Sequence, residues 1–261
     1  GPLHLLGTDR LFRDEAVRLA IAGRHSLRIG LLAALLAAAV GTTVGLVAGW
    51  TEGADRPGKG ASIGRRLLGL FPTADTALSF LIDVGLSFPF LLLVMALSAA
   101  AERTNEGTII LTLGFSGWLG IARLIRSRVL ELRHRDFITA ARAFGQSTFR
   151  IFLLHLLPNV FGTVIVTGTL AAGQMIVAEA ALSWLGAGLS PPEPSWGRML
   201  AEGQEVFPAS PWLLLAPVVM LVASSLGFNL LGEGLRDRFE EKRQGGDGGD
   251  AEPTKTGASR A

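Results

Sequence analysis

Apolar residues gather into five runs, at residues 27–50, 77–100, 108–130, 160–185 and 211–231, with polar stretches between them. About 20 residues at roughly 1.5 Å rise each cover a hydrocarbon core of about 30 Å, so each run is long enough to cross a bilayer. The pattern predicts an all-α, polytopic membrane protein with five transmembrane helices. The first run carries Gly41, Gly45 and Gly49 at every fourth position, a small-residue row that predicts close contact with a neighbouring helix. Asp83 and Pro89 interrupt the second run. The third contains Gly114, Gly117 and Gly120 and gains Arg123, Arg126 and Arg128 toward its end.

The polar stretches differ among themselves. Residues 1–26 are mixed, with Phe12, Ala16, Leu19 and Ala20 at helical spacing, which predicts an amphipathic helix on the membrane surface. Residues 51–76 are glycine-rich and then place Arg65 and Arg66 before Leu67, Leu68, Leu70 and Phe71, as a linker entering an interfacial helix does. Residues 232–261 form a tail whose end is a Gly/Asp-rich, disordered run.

The stretch at 136–159 is the one around which the chain is organised. Asp136 is placed to cap a two-turn helix running to Phe144, and Gly145 allows a left-handed stop. Phe137, Ala140, Ala141 and Phe144 share one face at spacings of three and four, a surface that another protein's groove accepts closely. Ser147 is placed to cap a second helix, which Pro158, following Leu157, is expected to end or kink.

Charge orients these elements. Residues 123–150 hold seven arginines against Glu131 and Asp136, whereas residues 186–210 hold Arg198 against Glu193, Glu202 and Glu205. By the positive-inside rule the 136–159 loop is cytoplasmic. With five spans the tail is then cytoplasmic and the 1–26 segment extracytoplasmic, which conflicts with five arginines in the first 28 residues. A sixth span upstream eases that conflict. Composition agrees with a membrane protein: 49% of the 261 residues are hydrophobic, 18% are charged and 33 are glycine. The net charge of +2 gives no sign of a nucleic-acid partner, and the lack of cysteine excludes disulfides and thiolate chemistry.

Candidate chemistry is sparse. Glu179 sits deep in the fourth run, where a carboxylate is expensive; it either lines a pathway, or pairs with a neighbouring subunit, or is a hydrogen-bonded packing residue. Asp83, nearer a span end, reads as packing or helix-end electrostatics. His155 has no second ligand at metal spacing. No GxSxG, HExxH or phosphate-cradling lysine motif is present, so the chain is not expected to be an enzyme. Pro194, Ser195, Trp196 and Gly197 fall on the outer side, in a loop that either lies on the membrane surface, with Trp196 at the interface, or helps to close a translocation path.

Several of these residues carry a resemblance. Ala140-Ala141, Gly145 and Leu157-Pro158 resemble the EAA loop of bacterial ABC import permeases, with Thr139 where that motif opens on glutamate. Leu6-Gly7-Thr8-Asp9, Glu179-Ala180-Ala181-Leu182-Ser183 and Pro194-Ser195-Trp196-Gly197 resemble the C-type permeases of oligopeptide, dipeptide and nickel importers. The resemblance implies a type I importer permease fold of six spans in the bacterial inner membrane. It further implies pairing with a second permease, two ATPase subunits that carry ATP and Mg and dock on the 136–159 loop, and an extracytoplasmic substrate-binding protein. The competing reading is an ion-coupled secondary carrier that uses Asp83 and Glu179 as protonatable groups; a membrane scaffold without transport activity is a third. No internal repeat of the kind common in secondary carriers is visible.

Overall fold

The computed structural model describes residues 6–51, 74–101 and 104–247. The 51–76 linker, apart from its ends, the charged pair Glu102 and Arg103, and the end of the tail lie outside the described residues. Regular structure among the described residues is helical, apart from an isolated bridge between Thr8 and Asp14.

Helix α1 runs unbroken over Glu15–Thr51. This replaces the expected surface helix followed by a separate span. The local chemistry explains why no break is needed. The Asp14 carboxylate accepts from the backbone N–H of Ala16 and Val17 at 2.9 and 3.2 Å, so it caps the helix. Phe12, expected on the apolar face of that helix, precedes it in a left-handed turn at φ +57° and is exposed. Several arginines near this end have partners: Arg18 meets Asp9 at 3.2 Å and also Glu202, Arg10 meets Glu205 at 2.8 Å, and Arg28 meets Glu106 at 3.5 Å. Burial alone would push the Asp9 carboxyl up, but hydrogen bonds from the backbone and side chain of Arg13 and from the backbone of Leu11 hold it below the usual carboxylate value. Its contribution to stability is therefore present at neutral pH and lost as pH falls through the folded-state value.

The next two helices are α2 (Ala74–Ser87) and α3 (Phe90–Ala99), whose axes bend by 93° at the break. Pro89, at φ −58° and ψ 124°, stands extended just before α3; it has no N–H to continue the ladder. Helix α4 (Glu106–Leu132) starts at Asn105, whose side chain accepts from the Thr108 N–H. It lies along α1. A Cβ added at Gly41, Gly45 or Gly49 would stand 2.8, 2.8 and 2.7 Å from the Cβ atoms of Ile121, Ile125 and Val129. The small-residue row therefore brings the two backbones together, and Ile29, Ala33, Ala37, Leu113, Ile125 and Val129 fill the core beside it.

After the short α5 (Asp136–Ala143), α6 (Thr148–Ile151) passes through a π-helical turn at Phe152–Leu156 into α7 (Leu157–Trp184). Pro158 thus neither ends nor cleanly breaks the helix. The wider turn, in which Leu157 N–H donates to Phe152 O, carries the chain past a residue that lacks a donor and crowds the preceding turn. Helix α8 (Trp196–Val206) and helix α9 (Trp212–Asp247), which contains Pro217, complete the described fold. Among the described residues, four helices are long and apolar enough to cross a membrane: α1, α4, α6–α7 taken together, and α9; the bent α2–α3 pair makes a fifth if it counts as one span.

Candidate functional site

The α5 loop is built from local rules. The amide of Gly145, at φ +72°, donates to Arg142 O at 2.9 Å, and that of Gln146 donates to Ala141 O at 3.1 Å. These two bonds form a Schellman stop, which needs a residue tolerant of the left-handed region at position 145. Ser147 accepts from the Arg150 N–H at 3.4 Å and so starts α6. Gln146 Oε1 lies 3.1 Å from His155 Nε2, and Asn159 Nδ2 donates to His155 O at 2.7 Å, so the loop is closed on itself across the π-turn. Arg135, rather than Asp136, holds the cap position of α5; Asp136 lies in the first turn, where its charge favours the helix N-terminus.

Of the four residues expected on the outward docking face of α5, one turns inward. Ile138 and Ala141 are buried, whereas Phe137, Ala140 and Phe144 are exposed, Phe144 by 86%. Ala141 thus leaves the predicted docking face and Ile138, which the sequence reading passed over, anchors the helix. Spacing alone could have found it, because residues 138 and 141 are one turn apart. Thr139 is exposed and turns its hydroxyl back to Arg135 O over 3.4 Å. Phe149, Leu153, Leu154 and Leu157 add further exposed apolar groups, Phe149 by 73%, and Pro158 is exposed as well. Arg142 points away from this face and stacks on Trp50, 4.3 Å from the ring centroid.

At the far end of α1 the remaining candidates meet. Glu179 has no exposure at all. Its Oε2 accepts from Ser26 Oγ at 2.8 Å, and its Oε1 accepts from Ser183 Oγ at 2.7 Å. Trp196 donates its backbone N–H to Ser26 Oγ and its indole N–H to Leu19 O, both at 3.2 Å. Ser195 is buried and caps α8 by accepting from the Arg198 N–H at 3.3 Å. Gly197 lies so close to α7 that an added Cβ would stand 2.2 Å from Ala180 O. Trp196, expected at a membrane interface, is buried instead, because Gly23 leaves room for its ring against α1. Pro194 leads into this knot half-buried. Asp83 lies elsewhere, exposed and 3.0 Å from Arg123. Among the described residues no group of three or more His, Cys, Asp and Glu could hold a metal ion.

Residues 60–244 match the family described as binding-protein-dependent transport system inner membrane component. The chain belongs to this family. Curated relatives include the oligopeptide transport system permease protein OppC of Escherichia coli K12, 39% identical over 92% of this chain and 72% of the relative. The dipeptide transport system permease protein DppC of Bacillus subtilis is 35% identical over 92% of this chain and 69% of its own length. Two solved structures of the MetNI methionine ABC transporter in inward-facing conformations share the fold, with TM-scores of 0.62 and 0.64 at 19% and 18% identity. In each case 85% of this chain and 96% of the other are superposed. In this ABC importer permease, then, the α5 loop and the Glu179 knot occupy opposite ends of α1.

Proposed function

We propose that this permease is a subunit of an ATP-driven importer of di- or oligopeptides in the bacterial inner membrane. It forms the translocation path with a second permease, receives substrate from an extracytoplasmic binding protein and is driven by two ATPase subunits that dock on the 136–159 loop. The names of the OppC and DppC relatives support a peptide cargo; nickel complexes are the other cargo that the resemblance suggests.

The observation that carries the proposal is the α5 loop itself. It is held firmly from beneath by Ile138 and Ala141, yet it presents Phe144 and Phe149 uncovered. Burying a phenylalanine side chain is worth roughly 1.5–3 kcal/mol, so two such groups on a rigid stub make a strong docking point. Seven arginines at 123–150 favour the cytoplasmic side for it. The α2–α3 pair then counts as one crossing and the Glu179 knot faces outward, where Arg10, Arg13, Arg18 and Arg28 are each paired with a carboxylate. ATP-driven closure of the ATPases pushes α5, and the flanking helices turn that displacement into rocking of the bundle.

Asp83 and Glu179 do not favour an ion-coupled carrier. Asp83 is paired with Arg123, and both oxygens of Glu179 are occupied in a site without solvent access. The test is purification of the tagged permease from cells that co-express its partners. P-loop ATPase subunits are expected to come with it, and peptide uptake into vesicles is expected to need ATP. Uptake driven by a proton gradient in vesicles without ATPase would overturn the proposal.

A further inference from the structure

The inner end of α1 is tied to the α5 loop by one side chain touched from two directions. Trp50 lies one residue before the end of α1. The Arg142 guanidinium of α5 lies over its ring at 4.3 Å, and Phe152 of the π-turn meets it edge-on, with centroids 5.2 Å apart at 70°. Beside it, Arg133 Nη1 donates to Gly49 O at 3.3 Å. Tryptophan offers the best aromatic face to a cation, and aromatic pairs favour this edge-to-face geometry. Below Trp50, α1 has no room to yield, because Gly49, Gly45 and Gly41 seat its backbone directly on α4. Above, Ser26 and Leu19 of the same helix hold Trp196. Twenty-four residues separate Ser26 from Trp50, which at roughly 1.5 Å each is about 36 Å of continuous helix.

We propose that Trp50 is a positioning residue for transport. It holds α5 on α1, so that a push on α5 moves α1 as a rigid rod and reaches the Trp196 knot at the other end. This rests on the reading that ATPase subunits drive α5. A tryptophan that merely anchored a helix at the membrane interface would need an amphipathic ring there and would have no use for Arg142.

The experiment uses the complete complex of both permeases and the ATPase subunits in proteoliposomes, supplied with its binding protein. Uptake of a radiolabelled tripeptide and ATP hydrolysis are measured on the same vesicles. Trp50→Leu keeps apolar bulk and removes the ring; Arg142→Gln removes the cation. Each is expected to lower peptide translocated per ATP by about five-fold, the scale of a single cation–π contact, with the ATPases still co-purifying. The double variant is expected to be no worse than the worse single one, because both remove the same contact. Trp50→Phe, which keeps a ring face, is expected to recover most of the coupling. Trp50→Leu coupled as well as the wild type, additive losses in the double variant, or Trp50→Phe as impaired as Trp50→Leu would each overturn the inference alone. A wild-type complex whose ATP hydrolysis moves no tripeptide would overturn the functional reading and the inference with it.

Discussion

At one end of α1, Glu179, Ser26, Ser183 and Trp196 close over one another, with both carboxylate oxygens taken and every group inside. At the other end, Ile138 and Ala141 grip the core while Phe144 and Phe149 stand uncovered. The first arrangement is complete within a single chain. A buried carboxylate survives there because its partners come from α1 and α7 of the same molecule. The second arrangement leaves large apolar side chains uncovered within this chain, which is what the proposed docking of an ATPase subunit would cover. If the proposed function holds, the contrast separates a region whose residues decide stability from one whose residues decide coupling, and substitutions at the two ends should fail in different ways.

The largest effect is expected from Glu179→Ala. It leaves the Ser26 and Ser183 hydroxyls without their acceptor in a buried site and opens a void, a loss of about 3 kcal/mol. A lower melting temperature of the detergent-solubilised complex would register it, with Glu179→Gln milder; an unchanged melt would break the claim that this end is structural. Gly197→Ala comes next. A methyl group 2.2 Å from Ala180 O must push α8 off α7, at a cost of about 1–3 kcal/mol. The same melt checks it.

Gly145→Val belongs to the other end. A β-branched residue at φ +72° is strained by roughly 1–3 kcal/mol, but only within the loop, where no atom crowds the site. The melt is expected to fall no further than that of Gly197→Ala, while peptide translocated per ATP also falls; a larger melting shift with coupling intact would invert the comparison. The smallest effect is expected from Asp83→Asn, since its exposed pair with Arg123 is worth about 0–1 kcal/mol. Transport that remains unchanged across a range of imposed proton gradients in this variant would sharpen the case against a proton-coupled role.

Much of the fold was legible because bilayer helices are read from uninterrupted apolar length, and the spacing of Gly41, Gly45 and Gly49 announced a close helix contact, though not that α4 is the partner. The stop at Gly145 was equally local. What escaped depended on partners distant in sequence. Glu179 finds Ser26 153 residues away, and nothing in the fourth apolar run announces that hydroxyl. Trp196 has the composition of an interfacial residue and becomes a core residue only because Gly23 leaves space for its ring. The continuity of α1 through charged residues likewise depended on Asp9 and Glu202, which lie on other segments. Pro158 was read as an end or a kink because the usual ladder has no place for it; a π-turn just before it lets the helix continue. On α5, Phe137, Ala140 and Phe144 stand outward as their spacing suggested, whereas Ala141 joins Ile138 against the core because small and branched aliphatic residues fit the narrow contact.

The proposed docking role of the α5 loop can be tested most directly by exploiting the lack of cysteine in this chain. A single Phe144→Cys or Thr139→Cys introduces the only thiol, on an exposed position. If ATPase subunits dock there, a bifunctional thiol–amine reagent joins it to an ATPase subunit, and in intact cells a membrane-impermeant maleimide does not reach it. Labelling from outside, or active transport by a complex in which that thiol never meets an ATPase, would contradict that role.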